Sequence, residues 1–230
     1  MDDLKQRYQH LVEKIRQLER QYGREQGTVS LVAVSKTHPA SAIREMAALG
    51  QTAFGENYLQ EAIAKHHELD DLDLQWHFIG HIQSNKTREI AKHFDWVHGV
   101  DRAKIAARLS GQRPGHLPPI NACIQVNLEG EPTKSGVTPD ELPELAQQVT
   151  QLSNLKLRGL MAIPPPDNPF ETQRKLFARM KSLFDALNHT GLNLDVLSMG
   201  MTDDMEAAIA EGATHIRIGT ALFGPRHYPG

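Results

Sequence analysis

VSLVAVSK (29–36) is followed by Pro39, then by ASAIREMAAL (40–49), Gly50 and TAFG (52–55). The first stretch is a β-branched apolar run of strand length. The second carries apolar residues at helical spacing and stops at a glycine. The third is a second short strand. Strand and helix alternating through short connections imply parallel strands, and the pattern continues along the chain. A helix is predicted over 57–69, a strand at QWHFIG (75–80) and a helix at SNKTREIAKHF (84–94). DWVHGV (95–100) is a strand and DRAKIAARL (101–109) a helix capped by Asp101. INACIQVNL (120–128), a helix near 139–152, LKLRGLMAI (155–163) and a long helix over 170–188 follow. LDVLSMG (194–200), TDDMEAAIAEG (202–212) with Thr202 as N-cap, and HIRIGT (215–220) complete the series.

Eight strands, each followed by a helical segment or a short tail, predict an α/β chain folded as a single (β/α)8 TIM barrel. The runner-up is an open doubly wound sheet, which usually takes fewer strands and a glycine-rich first turn. No G-x-G-x-x-G follows the first strand. Residues 3–22 place Leu4, Tyr8, Leu11, Ile15, Leu18 and Tyr22 on one helical face, so an extra N-terminal helix is expected outside the barrel or across its bottom. Residues 1–230 read as one domain, with no repeat or linker.

Composition narrows the function classes. With 40% hydrophobic residues in 230, the chain is too apolar for disorder, and a mean hydropathy of −0.45 is too polar for a membrane protein. Lys and Arg total 25 against 28 Asp and Glu, a formal net charge of −3, which argues against nucleic acid as the main partner. Cys123 is the only cysteine, which excludes an internal disulfide and a cysteine-rich zinc site and fits a reducing compartment. The opening MDDLKQRYQH has no apolar core of signal-peptide type, and no stretch approaches the roughly 18 apolar residues of a membrane span. The expected location is the cytoplasm, and the expected state is a monomer.

Active sites of such barrels form at the C-terminal ends of the strands. There the first strand presents Lys36. Two readings stay open: a lysine aimed into the barrel mouth, made nucleophilic by desolvation and able to form a Schiff base with an aldehyde, or a side chain that snorkels to solvent. The last two strands end in Ser198-Met199-Gly200 and Gly219-Thr220, each before a helix. Small residues at such junctions let backbone amides approach an anion, although tight turns alone would also explain the glycines. Arg217 lies between Ile216 and Ile218, where both faces of a parallel strand are normally apolar, so it needs either a carboxylate partner or a ligand. An amine for an aldehyde, a phosphate cradle and an internal arginine are together the fixtures that pyridoxal 5′-phosphate would use.

VAVSKTHP (32–39), FGENYLQE (54–61), WHFIGHIQSNK (76–86), KSGV (134–137), RGLMAI (158–163) and LSMGMTDDMEAAIAEGATHIRIGTALFG (197–224) resemble the pyridoxal phosphate homeostasis protein family, in order along nearly the whole chain. That family has a barrel similar to the N-terminal domain of alanine racemase. It binds pyridoxal phosphate without established turnover and is associated with vitamin B6 balance. The resemblance implies a Schiff base on Lys36. It also implies a phosphate held by Ser198, Gly219 and Thr220 near Met199 and Gly200, and Arg217 facing the pyridine nitrogen. Asn57 and His81 would line the cofactor. PLP-dependent apoenzymes are the implied partners.

An arginine beside the ring nitrogen disfavours the pyridinium form and so weakens the ring as an electron sink. The racemase alternative needs an opposing acid–base group, which in alanine racemase is a tyrosine from a second domain. A chain ending at Gly230 is expected to lack it, and none of Tyr8, Tyr22, Tyr58 and Tyr228 is an obvious substitute. A third alternative is an aldolase-type barrel using Lys36 on a sugar phosphate. Lys134 is expected to be a solvated loop charge and Cys123 a core residue. The histidines are scattered without H-E-x-x-H spacing, so no metal is expected.

Overall fold

A computed structural model describes residues 4–131, 134–165 and 168–224. Its elements are α1 (Leu4–Gln21), β1 (Ser30–Val34), α2 (Ala40–Ala48), β2 (Ala53–Glu56), α3 (Leu59–Glu68), β3 (Gln75–Phe78), α4 (Thr87–His93), β4 (Trp96–Val100), α5 (Ala103–Gln112), β5 (Ile120–Gln125), α6 (Leu142–Thr150), β6 (Leu155–Met161), α7 (Phe170–His189), β7 (Val196–Ser198), α8 (Met205–Ala210), β8 (His215–Ile218) and α9 (Thr220–Phe223). The strands pair in sequence order, all parallel, and β8 returns to β1, so the sheet closes into the expected eight-stranded barrel. Among the described residues no helix is long and apolar enough to cross a membrane.

Closure gives the strands an inside and an outside, because successive side chains alternate. Val97, Ala122, Ile124, Leu160, Leu197, Ile216 and Ile218 join the large apolar cluster shared with the helices. The alternate residues Trp96, Cys123, Met161 and Val196 form a separate cluster inside the barrel. Two residues further along β4 and β7 come His98 and Ser198, which meet Arg217 of β8 inside the barrel.

α1 packs outside the barrel against α2, α8 and α9. Leu11, Ile15 and Leu18 are its buried face. Tyr22 donates to Glu206 at 2.9 Å and Arg7 to the Leu222 carbonyl at 2.7 Å.

Several strands stop before their apolar runs do. Ser35-Lys36, Ile79-Gly80, Ala162-Ile163 and Gly219-Thr220 leave the ladder and build the rim. α3 opens at Leu59, not residue 57, which releases Asn57 and Tyr58 to the rim. Two expected caps are corrected. Asp101 does not cap α5, which opens at Ala103. Its carboxylate instead takes the Arg102 guanidinium at 2.9 Å, a charge-assisted bond stronger than one to a neutral amide. Thr202 does not cap α8, which opens at Met205. Asp204 holds the cap position and accepts the Met201 amide at 2.6 Å, tightening the turn that precedes the helix.

Candidate cofactor site

A cleft of about 490 Å³ opens at the C-terminal ends of the strands. Lys36, Asn57, Arg217, Gly219 and Thr220 line it together, with Val34, Ile79, Ile163 and the 201–203 turn completing the wall.

Lys36 lies two residues beyond the end of β1 and is half-buried. Its neighbour Thr37 has φ +65°, a left-handed conformation that a β-branched residue adopts only when its surroundings impose it. An ionic knot imposes it here. The Thr37 amide donates to Glu61 Oε1 at 2.6 Å, and Lys65 Nζ donates to the same oxygen at 2.5 Å. Lys65 also reaches Glu56 Oε1 at 2.7 Å and the Ser35 carbonyl at 2.8 Å, while the Ser35 hydroxyl donates to Glu56 Oε1 at 2.6 Å. Burial pushes the Glu56 carboxyl above its usual range, outweighing Lys65 and the Ser35 hydroxyl. The knot thus grips both residues that flank Lys36.

Within β8, the strand paired directly to β1, Arg217 forms part of the cleft wall and is 4% exposed. It donates to Ser198 Oγ at 2.7 Å and to the Ala162 carbonyl at 3.0 Å. These are neutral partners, not the carboxylate that one reading anticipated. Burial lowers its pKa to about 10, which still leaves it charged at neutral pH.

Ser198, Met199 and Gly200 lie beneath this wall. Ser198 is wholly buried between Arg217 and His98, whose Nδ1 is 2.7 Å from its Oγ. The Met199 amide donates to the His215 carbonyl at 3.0 Å, and the Gly200 carbonyl accepts the Arg217 amide at 2.9 Å. The next residues, Met201, Thr202 and Asp203, reach the cleft. Gly200 has φ +99°, and a Cβ there would sit 2.7 Å from Ala208 Cβ, so only glycine makes this turn. His81 occupies a neighbouring hollow with Tyr58, Gly80 and Lys86, which shares Asn57 with the Lys36 cleft. Its Nδ1 lies 3.3 Å from Ser135 Oγ.

A family model described as "Alanine racemase, N-terminal domain" matches residues 7–227. A pyridoxal phosphate homeostasis protein of Pseudomonas aeruginosa is 61% identical over 215 residues, covering 94% of this chain and 92% of the relative. One from Escherichia coli K12 is 48% identical over 231 residues, covering 99% of each. The chain belongs to the pyridoxal phosphate homeostasis protein family. A solved member, PipY of Synechococcus elongatus with PLP bound, superposes with a TM-score of 0.81 at 43% identity, covering 91% of this chain and 99% of that one. Alanine racemase of Clostridium difficile, 16% identical with a TM-score of 0.70, covers 95% of this chain and 57% of its own, and shares the fold.

Whether this member of the homeostasis family fits an aldehyde phosphate is answered by its own atoms. Asn57, on the cleft wall, keeps its Oδ1 buried with no hydrogen-bond partner, a cost that a polar ligand would relieve. A Cβ at Gly219 would come within 3.3 Å of the Val34 carbonyl, so the turn that meets the cleft packs close against β1. An amine, a guanidinium and a glycine–threonine turn on one cleft suit an aldehyde and an anion.

Sequence reasoning missed the Glu56–Glu61–Lys65 knot and the histidines of the barrel. His77, His98 and His215, scattered in sequence, meet inside it, with ring centroids 5.1 Å apart for His77–His98 and 6.3 Å for His77–His215. Their positions on inward registers were the available signal. Among the described residues no group of metal-binding side chains assembles. Cys123 is buried, and burial pushes its thiol up to about 12. Lys134 pairs with Glu131 at 2.6 Å and Glu129 at 3.5 Å in its loop.

Proposed function

We propose that this chain binds pyridoxal 5′-phosphate covalently through Lys36 and serves the balance of that cofactor rather than a turnover of its own. The observation that carries the reading is the convergence of Lys36, Arg217 and the Gly219–Thr220 turn on one cleft beside an unpaired Asn57 carbonyl oxygen. Pyridoxal phosphate supplies an aldehyde that condenses reversibly with an amine, and a phosphate that needs an anion cradle. Lys36 provides the amine, aimed by its knotted turn. Gly219 and Thr220 cradle the phosphate with the 198–202 segment behind them. Arg217 meets the ring nitrogen as a fixed cation and disfavours its protonation. Asn57 borders the ring, and His81 closes the adjoining hollow.

Binding without turnover is supported by what borders the lysine. Among the described residues no tyrosine lines the cleft. Tyr58, 54% exposed, lies in the neighbouring hollow, and Tyr8 and Tyr22 are on or just beyond α1. Tyr228 lies outside the described residues. The PipY structure with PLP bound and the names of the relatives point the same way. We further read residues 1–230 as one cytoplasmic, monomeric domain that passes the cofactor to PLP-dependent apoenzymes. Among the described residues only Tyr58, Ile163 and Phe170 are exposed large apolar side chains, too few for an extended docking face.

The test is borohydride reduction of the protein loaded with pyridoxal phosphate, followed by peptide mapping. The mass tag is expected on Lys36, and the visible band is expected to vanish in Lys36→Ala. A tag on another residue, or an unchanged band in Lys36→Ala, would refute the reading. Exchange of the α-proton of amino acids in heavy water tests for turnover, and rapid Lys36-dependent exchange would make the chain a racemase.

A further inference from the structure

Arg217 belongs to a hydrogen-bonded column that runs down the barrel axis. Its guanidinium can only donate, so Ser198 Oγ accepts from it. The serine proton is then left for His98 Nδ1, 2.7 Å away. That nitrogen is therefore an acceptor, His98 carries its proton on Nε2, and Nε2 donates to His77 Nδ1 at 2.9 Å. Each step fixes the next, and the direction of the whole column is set by Arg217. Its lower end is rigid: the His77 ring stacks on Trp96 at an interplanar angle of 6°. Both imidazoles are at most 1% exposed. Besides His98, the titratable groups acting on Arg217 are Asp204, below the cleft wall, and Cys123 of β5. His215 of β8 and His77 act on His98.

We propose that Ser198 and His98 are positioning residues for Arg217: the column holds the guanidinium at the cleft wall, so Ser198 acts on a bound pyridoxal ring through Arg217, and its hydroxyl does not ligate the phosphate. This rests on the reading of the cleft given above. It assigns the phosphate to the Gly219–Thr220 side and gives the buried histidines a purpose beyond packing. A hydroxyl already bound on both sides has little left to offer a ligand, whereas loss of that hydroxyl frees the guanidinium to swing.

The experiment compares the affinities of pyridoxal phosphate and pyridoxal, which lacks the phosphate, in the wild type, Ser198→Ala, Ser198→Thr, His98→Gln and Arg217→Gln. Both are read from the Lys36-dependent visible band. Removing a hydrogen bond to a charged group is expected to weaken both aldehydes in Ser198→Ala by about tenfold or more, leaving their ratio near the wild-type value. Ser198→Thr retains the hydroxyl and is expected to restore affinity. Ser198→Ala combined with Arg217→Gln is expected to be no worse than Arg217→Gln alone. A Thr220→Val control should instead weaken pyridoxal phosphate selectively. If Ser198→Ala weakens pyridoxal phosphate and spares pyridoxal, or adds fully to Arg217→Gln, or changes nothing, the proposal is wrong. Should Ser198→Ala fail to fold, His98→Gln decides, since it touches the ligand only through the column: equal weakening of both aldehydes supports the proposal and unchanged affinities overturn it. A wild type with no Lys36-dependent band for either aldehyde would instead refute the cofactor reading itself.

Discussion

Lys65 shows how one side chain acts on a site it does not touch. It is 4% exposed, and its ammonium holds Glu56, Glu61 and the Ser35 carbonyl together behind the Lys36 turn. Lys65→Met removes the only cation of the knot and strands two carboxylates, one of them fully buried. Breaking a buried pair this way costs about 3–5 kcal/mol, to be measured by urea unfolding. The sign with pH follows from Glu56. Burial already raises its folded pKa above the unfolded value, so the folded state binds the extra proton and the variant is expected to recover stability as the pH falls toward 5. A loss that is equal at pH 5 and pH 8 would show that Glu56 is not the group left uncompensated. Lys65 also illustrates what the sequence hides. On α3 it is one charged residue among several, and only the closed barrel reveals that it points inward. Lys36, Gly219 and Thr220 stand out in the sequence because each follows an apolar strand, and Arg217 because a parallel strand seldom carries a charge; one cleft brings the four together.

At the scale of elements, strands and helices were legible because their signals are local: apolar runs, helical spacing and terminal glycines. Their ends were not. Asp101 and Thr202 are both good caps by type, but a nearby guanidinium claims Asp101, and Asp204 draws the Met201 turn tight so that α8 opens only at Met205. Contacts inside the barrel were also hidden, since His98 and Ser198 meet across 100 residues and the pairing depends on how the sheet closes. The junction of α1 with β1 carries its own prediction. Glu19 is wholly buried, and burial works to raise its pKa. The amides of Gly27 and Val29, at 3.0 and 2.7 Å, together with Arg16 at 2.6 Å, outweigh that and hold the carboxyl below its usual range. Glu19→Ala should cost about 1.5–3 kcal/mol or more, because charged hydrogen bonds are lost and two amides in the turn leading into β1 are orphaned. A depressed carboxyl pKa stabilises above the unfolded value, so the deficit should be full at pH 7 and shrink as the pH falls below about 4.5. Thermal melts of the two proteins at pH 7 and pH 4 measure it.

The whole molecule concentrates its acid sensitivity in imidazoles. Burial drives His66 down to about 3 and His215 to about 4, and pushes His77 and His98 well below the ordinary value. Positive neighbours add to the effect: His93, His67 and Lys65 around His66, and Arg217 next to His98. These groups stay neutral in the fold and take up protons once it opens. Below the unfolded pKa of about 6.5 the unfolded chain therefore binds more protons, and stability falls as the pH falls. Each such proton is worth about 1.4 kcal/mol per pH unit, so four buried imidazoles make the decline steep between pH 6.5 and 5, where their unfolded counterparts charge. The unfolding free energy, measured in urea from pH 7.5 to 5, is expected to drop along that slope, and these imidazoles should contribute close to four protons to the uptake on unfolding at pH 5. His66 packs against Trp76, ring centroids 4.1 Å apart and planes tilted by 37°, outside the barrel column, so His66→Gln should remove about one proton from that count and leave the column intact. An uptake from these groups of only about one proton at pH 5, the share of His66 alone, would mean that the barrel interior accepts charge on His77, His98 and His215. A charged His98 could no longer accept the serine proton, so the same result would break the chain of donors and acceptors that fixes Ser198 beneath Arg217.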